Sequence, residues 1–346
     1  MDDRLESMYR RFTWRILSNY VTPWEFNQLQ ESVSDYEDWC ATWCSYARGH
    51  LERGDEALAA GRRLTAGDAY LRAGLGYHWA NFMYTHDAAQ FEAALDGMAE
   101  SWTKAAPHLD PPMELIDVPF DGVTLHGYLR VPPGGARAPV VLLLPGADST
   151  KEELYNLGDA IVARGVAVAA FDGPGQGSVS LSMKMRPDYE RAIQAILDEL
   201  LTRPDLDTDR VGVGGISYGG LFSLRAAAID DRIRAVVSIS SWYTPAGRFE
   251  DMELLSATGQ YQYLGPDPAA MMASITLAGA AEKVTVPVLQ VYGGLDTASP
   301  SSQAEQIAAE VAGPVTTVVY PDGVHILNNI WHIARPMVGD WLAATL

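Results

Sequence analysis

The chain has 346 residues, 48% hydrophobic and 20% charged, an ordinary globular composition that excludes a disordered polymer. A chain of this length buries a core without disulfide or metal staples. Its 25 basic and 44 acidic side chains leave a net charge of -19, which argues against nucleic acid or an anionic membrane surface as partner, since both need a positive face.

The chain begins Met-Asp-Asp-Arg-Leu-Glu-Ser, with neither a basic nor an apolar leader segment, so a cytoplasmic location without a membrane is the expectation. Residues 1–112 read as a helical N-terminal cap domain. Apolar residues recur at spacings of three and four in Met8, Phe12 and Ile16, in Trp39, Trp43 and Tyr46, and in Phe91, Leu95, Met98 and Trp102. Thr22 is a plausible N-cap with Pro23 in the first turn behind it. Residues 67–84 and 87–106 read as an antiparallel helix pair, with Gly49, Gly54, Gly61 and Gly67 punctuating helices. Pro107, Pro111 and Pro112 end the helical region. Cys40 and Cys44 lie four apart on a helix and read as two reduced thiols, since no second pair or nearby His completes a metal site. Trp14, Trp24, Trp39, Trp43 and Trp79 either pack helices or line an aromatic substrate pocket.

Residues 113–346 read as the catalytic domain. Segments 114–120 and 123–131 alternate around Asp121-Gly122, a hairpin signal. Strands are then predicted at 140–144, 166–171, 211–215, 235–240, 288–292 and 315–320. Helices are predicted at 151–164, 188–202, 218–228, 301–312 and 328–344. The run Val-Val-Leu-Leu-Leu at 140–144 suits a buried strand and is far short of the roughly 20 residues of a membrane span. A hairpin followed by alternating strands and helices predicts an α/β class, with a mostly parallel sheet and helices on both faces. Right-handed crossovers place the strand C-terminal ends along one edge, where ligands bind.

The chemistry falls on that edge. Gly215-Ile216-Ser217-Tyr218-Gly219 is a Gly-x-Ser-x-Gly turn between a predicted strand and helix, the context of a nucleophile elbow. The short motif alone is common; its flanks make it specific. Serine needs a base. Only His325 and His332 follow it; His325 lies on a loop after a strand and His332 inside the last helix, so His325 is chosen. Asp296 follows the strand at 288–292 and is chosen to orient the imidazole, in the order Ser, Asp, His expected for such a sheet. Asp322, three residues before His325, is the competitor and is read as shaping the turn. Backbone N–H groups of Ala147 and Tyr218 are the expected oxyanion hole, with Ser149 or Thr150 capping the helix that follows.

Three stretches add a resemblance: Leu-Pro-Gly-Ala-Asp-Ser-Thr-Lys-Glu-Glu (144–153), Phe-Asp-Gly-Pro-Gly-Gln-Gly (171–177) and Gly-Ile-Ser-Tyr-Gly-Gly (215–220). With the helical N-terminal region, the chain resembles the 2,6-dihydroxypseudooxynicotine hydrolase group of the α/β-hydrolase fold and is similar to fungal polyketide chain-shortening hydrolases. The resemblance covers nearly the whole chain. It implies hydrolysis of a carbon–carbon bond beside a ketone, with the helical domain roofing the site. It also implies an acidic residue beyond the strand after the nucleophile helix; Glu253 is the best transfer, with Glu250 as the alternative. The stretch 242–248 does not follow the nicotine enzyme closely.

The implied substrate is a small ketone or ester, aromatic or polyketide in character. A carbanion leaves only when a second carbonyl or an electron-poor ring stabilises it, whereas an ester asks less of the same triad. Carbon–carbon hydrolysis, carboxylesterase, lactonase or thioesterase-type acyl transfer or cyclisation, and a scaffold with a vestigial site all stay open. A complete triad counts against the scaffold. No motif requires a metal, nucleotide or flavin, and the apolar helical region would support a homodimer.

Overall fold

The computed structural model describes residues 2–134, 137–246 and 263–346. They fall into two compact units, divided between Leu115 and Ile116.

The first unit is helical. It contains α1 (Asp3–Leu17), α2 (Pro23–Ser32), α3 (Trp39–Ala59), α4 (Arg63–Asn81) and α5 (Ala88–Ala105). Thr22 caps α2 reciprocally. Its hydroxyl accepts from the Glu25 N–H at 3.3 Å, and the Glu25 carboxylate accepts from the Thr22 N–H at 2.9 Å. Trp39, Trp43 and Trp79 are completely buried, and Trp39 Nε1 donates to the Trp79 carbonyl at 2.7 Å. These three rings are packing; Trp14 and Trp24 are exposed. Cys40 and Cys44 are free thiols on α3. The glycines differ from expectation. Only Gly61 separates helices, while Gly49 and Gly54 lie within α3 and Gly67 within α4. Gly54 is there because a methyl group would strike the Tyr70 ring, and one at Gly67 would stand 2.6 Å from the His108 carbonyl oxygen. Close helix packing, not chain reversal, selects them.

The second unit is built on an eight-stranded sheet: β1 (Met113–Phe120), β2 (Val123–Arg130), β3 (Ala138–Leu144), β4 (Ala167–Phe171), β5 (Leu206–Ile216), β6 (Ile233–Ile239), β7 (Val288–Gly293) and β8 (Val315–Tyr320), in the order β1-β2-β4-β3-β5-β6-β7-β8. Asp121 and Gly122 turn the β1–β2 hairpin with φ of 44° and 86°, the positive pair that twisted two-residue hairpins require. β2 is antiparallel to β4, and the strands from β4 to β8 pair in parallel. Every residue of β4 and β7 is buried, as expected of strands covered on both faces. The helices are α6 (Tyr155–Val162), α7 (Val179–Ser182), α8 (Glu190–Leu200), α9 (Tyr218–Ala227), α10 (Pro268–Ser274), α11 (Ser302–Glu310) and α12 (Trp331–Thr345). Two departures have local causes. β5 starts at Leu206 rather than 211, because Leu206 pairs with Ala138 across a register irregularity. The helix predicted from 151 opens as a 3-10 turn, Lys151–Leu154, since the Lys151 and Glu152 side chains turn inward to a buried partner. No helix among the described residues is long and apolar enough to cross a membrane.

Candidate active site

Ser217 is the single residue between β5 and α9. Its φ of 53° and ψ of -117° are rare for a side chain with a Cβ, a strain of roughly 1–3 kcal/mol. Neighbouring backbone holds it there. Its N–H donates to the Ile239 carbonyl at 2.8 Å. A methyl group at Gly215 would stand 2.5 Å from the Leu144 carbonyl oxygen, and one at Gly219 would overlap the same atom. The turn thus requires glycine on both sides of the serine. Trp242 Nε1 donates to Ser217 Oγ at 3.4 Å. Among the described residues, the serine hydroxyl is partnered by Trp242 rather than by His325. Because Trp242 uses the oxygen as acceptor, the hydroxyl proton stays available to a base.

Asp296 and His325 come together on the loops after β7 and β8. His325 Nδ1 lies 2.8 Å from Asp296 Oδ2. The Asp296 side chain is fully buried, while that of His325 is 31% exposed, so one is held and the other is accessible. Asp296 Oδ1 accepts the N–H groups of Ala298 at 3.0 Å and Ser299 at 2.8 Å. The loops touch backbone to backbone: Leu295 N–H donates to the Gly323 carbonyl at 2.9 Å, and Gly293 leaves no room there for a side chain. The Ile326 N–H donates to Ser240 Oγ at 2.9 Å, which ties the His325 turn to the end of β6.

The loop after β3 carries Ala147. Gly146 in that loop sits against Ser217, so that a methyl group on it would stand 3.5 Å from Ser217 Cβ. Tyr218 opens α9, which puts its N–H at the positive end of the helix. Thr150 occupies the N-cap position ahead of Lys151 but makes no side-chain capping bond, and the Ser149 hydroxyl instead donates to Glu153. Behind the loop lies a buried ion cluster. Lys151 Nζ is 2.8 Å from Asp172 Oδ2 and 2.7 Å from Glu152 Oε1, and the Lys151 N–H reaches Asp172 Oδ1 at 2.7 Å. Burial alone would discharge the ammonium; the two carboxylates outweigh it and hold the Lys151 pKa above its ordinary value. No group of three or more acidic, Cys or His residues among the described residues suits a metal ion.

The alternatives separate clearly. The Asp322 side chain is exposed, and its carbonyl accepts from Asn329 Nδ2 at 2.7 Å; His332 is exposed on α12. Glu253 and Glu250 lie outside the described residues. The sequence reading missed the role of Trp242, three residues beyond β6, and the inward turn of Lys151 and Asp172. The quoted stretches 144–153 and 171–177 were the available signal for the latter.

An edge of parallel strands bearing Ser217 on a strained turn, with an Asp–His pair two loops away, defines a member of the α/β-hydrolase class. A family model described as Esterase FrsA-like matches residues 25–244, well over half the chain, and the protein belongs to that family. The prolyl oligopeptidase family model also matches, over residues 159–335. Among individual proteins, the chain is similar to 2,6-dihydropseudooxynicotine hydrolase of Paenarthrobacter nicotinovorans, 29% identical over 88% of this chain and 83% of that one. The crystal structure of the 2,6-dihydroxy-pseudo-oxynicotine hydrolase superposes with a TM-score of 0.86, at 28% identity, over 96% of this chain and 95% of that one. The alpha/beta hydrolase xenA of Xenoacremonium sinensis is 39% identical over 64% of this chain and 55% of its own. The chain thus spans about half the length of this fungal relative.

Proposed function

We propose that the protein is a serine hydrolase that cleaves a carbon–carbon bond next to a ketone, in a β-diketone or an acyl-aromatic or polyketide substrate. Ser217, Asp296 and His325 are its triad, and the N–H groups of Ala147 and Tyr218 its oxyanion hole. The observation that carries this reading is the 2.8 Å contact of His325 Nδ1 with the buried Asp296 carboxylate. It holds the ring and leaves Nε2 as the base. His325 takes the Ser217 proton as Oγ attacks the ketone carbon, and the two N–H groups hold the oxyanion. Collapse breaks the carbon–carbon bond. The electron pair leaves as an enolate, stabilised by the substrate's second carbonyl and protonated by His325 or by Glu253. Water activated by His325 then releases the acyl group from Ser217 as a carboxylic acid. Likeness to 2,6-dihydropseudooxynicotine hydrolase over most of the chain supports this chemistry. Residues 1–112 are proposed as the substrate-selecting cap and 113–346 as the catalytic domain.

The FrsA-like esterase match favours a second reading, in which the same triad serves a carboxylesterase, lactonase or thioesterase-type acyl transfer. Turnover of benzoylacetone and of p-nitrophenyl butyrate by one preparation separates the two. The carbon–carbon reading expects efficient diketone cleavage to acid and ketone; ester turnover with an inert diketone supports the second reading. Glu253→Gln should slow the diketone by roughly 10²–10⁴-fold, the usual range for general acid help, while sparing the activated ester.

A further inference from the structure

We infer that Gln176 is the positioning residue that sets the oxyanion hole, by fixing which way the peptide between Gly146 and Ala147 faces. The inference rests on the triad reading above. The Gln176 side chain is almost completely buried, and all four of its hydrogen-bonding positions are used. Nε2 donates to the Pro145 carbonyl at 3.0 Å and to the Gly146 carbonyl at 2.8 Å. Oε1 accepts the Gly173 N–H at 2.9 Å and the Tyr189 hydroxyl at 2.5 Å. Two acceptors on one side and two donors on the other admit only one orientation of the amide.

The consequence for the hole follows from peptide geometry. In a planar trans peptide the C=O and the next N–H point in opposite directions. A Gly146 carbonyl drawn toward Gln176 therefore turns the Ala147 N–H away from Gln176. If that peptide flipped, the carbonyl would replace the N–H at the hole, and a developing oxyanion would meet an acceptor instead of a donor. Gln176 in this way selects between a formed and an unformed site. The clamp also reaches the nucleophile helix. Tyr189, which donates to Gln176, stacks on Phe222 of α9 with ring centroids 4.0 Å apart and planes 3° from parallel. One chain of contacts thus joins the loop carrying Ala147 to the helix that begins beside Ser217. Burial holds the Tyr189 phenol pKa well above its ordinary value, so it remains a donor at every working pH.

Gln176→Glu tests this directly. It keeps the side chain's size but replaces the NH₂ facing the two carbonyls with an oxygen. Kinetics on p-nitrophenyl butyrate should show kcat reduced by roughly 10²–10³-fold, the cost of losing one oxyanion donor, with KM within a few-fold of wild type. The rate is expressed per site that a fluorophosphonate labels at completion, which removes any contribution from misfolded protein. Affinity for a trifluoromethyl ketone, which forms the tetrahedral oxyanion on serine, should fall in parallel. Tyr189→Phe removes one bond to Oε1 and leaves both Nε2 bonds, so it should cost under 10-fold. A merely structural glutamine would lower the number of active sites or the melting temperature while kcat per labelled site stayed at the wild-type value; that result overturns the inference. Wild-type rates in Ser217→Ala would instead refute the triad reading, and this inference with it.

Discussion

The two units of the chain differ in how their buried polar groups are bonded. The helical unit buries rings: Trp39, Trp43 and Trp79 lie within about 6.4 Å of one another in sequence order, with Tyr36, Phe82 and Tyr84 in the same core. Its buried polar side chains Ser18, Asn19, Asn81 and Ser101 donate to carbonyls three or four residues back, whereas in the sheet unit Asp172, Gln176, Ser240, Asp296 and Ser299, each under 6% exposed, bond between segments far apart in the chain. An apolar core tolerates change at a cost in stability alone, whereas a polar network fixes one arrangement and loses function when a partner is lost. Substitutions in the ring core of the first unit should therefore act on stability, and those in the polar network of the second on rate at nearly constant stability.

The largest expected effect is on the rate side. Ser217→Ala should cost roughly 10⁴-fold or more in kcat, in line with triad deletions in proteases, and Asp296→Asn about 10⁴-fold by releasing the imidazole tautomer. Melting temperatures within a few degrees of wild type would keep the contrast; a collapsed Ser217→Ala fold would break it. In the helical unit, Trp39→Ala should lower stability by about 3–5 kcal/mol and leave kcat per folded molecule unchanged, as read by denaturant melts and site titration.

A smaller effect depends on pH. Burial pushes the His50 imidazole down to about 4, against the pull of the Glu25 carboxylate 3.4 Å from its Nε2. The unfolded chain binds a proton near pH 6.5 that the folded chain refuses. Stability is therefore fully present above about 6.5 and falls as pH drops toward 4, by roughly 1–2 kcal/mol. Glu25, whose folded pKa is lowered with burial opposing and the Thr22 hydrogen bonds favouring the charge, pulls in the same direction. His50→Gln should flatten the profile of melting temperature against pH; an unchanged slope would assign it elsewhere. The smallest effect is Thr22→Ala, which removes one half of a capping box on an exposed helix start and should cost about 1 kcal/mol, measurable by chemical denaturation.

Most of the sheet unit was legible because its signals are local. Apolar runs named the strands, and the glycines around Ser217 named the turn. That Asp296 and His325 would meet was legible because each lies just beyond a strand, and parallel strands bring their C-terminal ends to one edge. What escaped was non-local. Nothing near Gln176 says that its amide meets Pro145 and Gly146, about thirty residues earlier. Trp242 carries no motif either, and reaches Ser217 only because β6 lies beside β5. In the helical unit, Gly54 and Gly67 were misread because a glycine that admits a neighbouring ring or backbone carbonyl looks, in sequence, like one that ends a helix.

The most direct test of the central claim is to catch the acyl group on Ser217 by quenching the reaction with benzoylacetone in acid and analysing the intact protein and its peptides by mass spectrometry. The account predicts an acyl adduct on the peptide containing Ser217, formed as the ketone product is released and absent in Ser217→Ala. Diketone cleavage at full rate with no adduct on Ser217, and undiminished in Ser217→Ala, would contradict it.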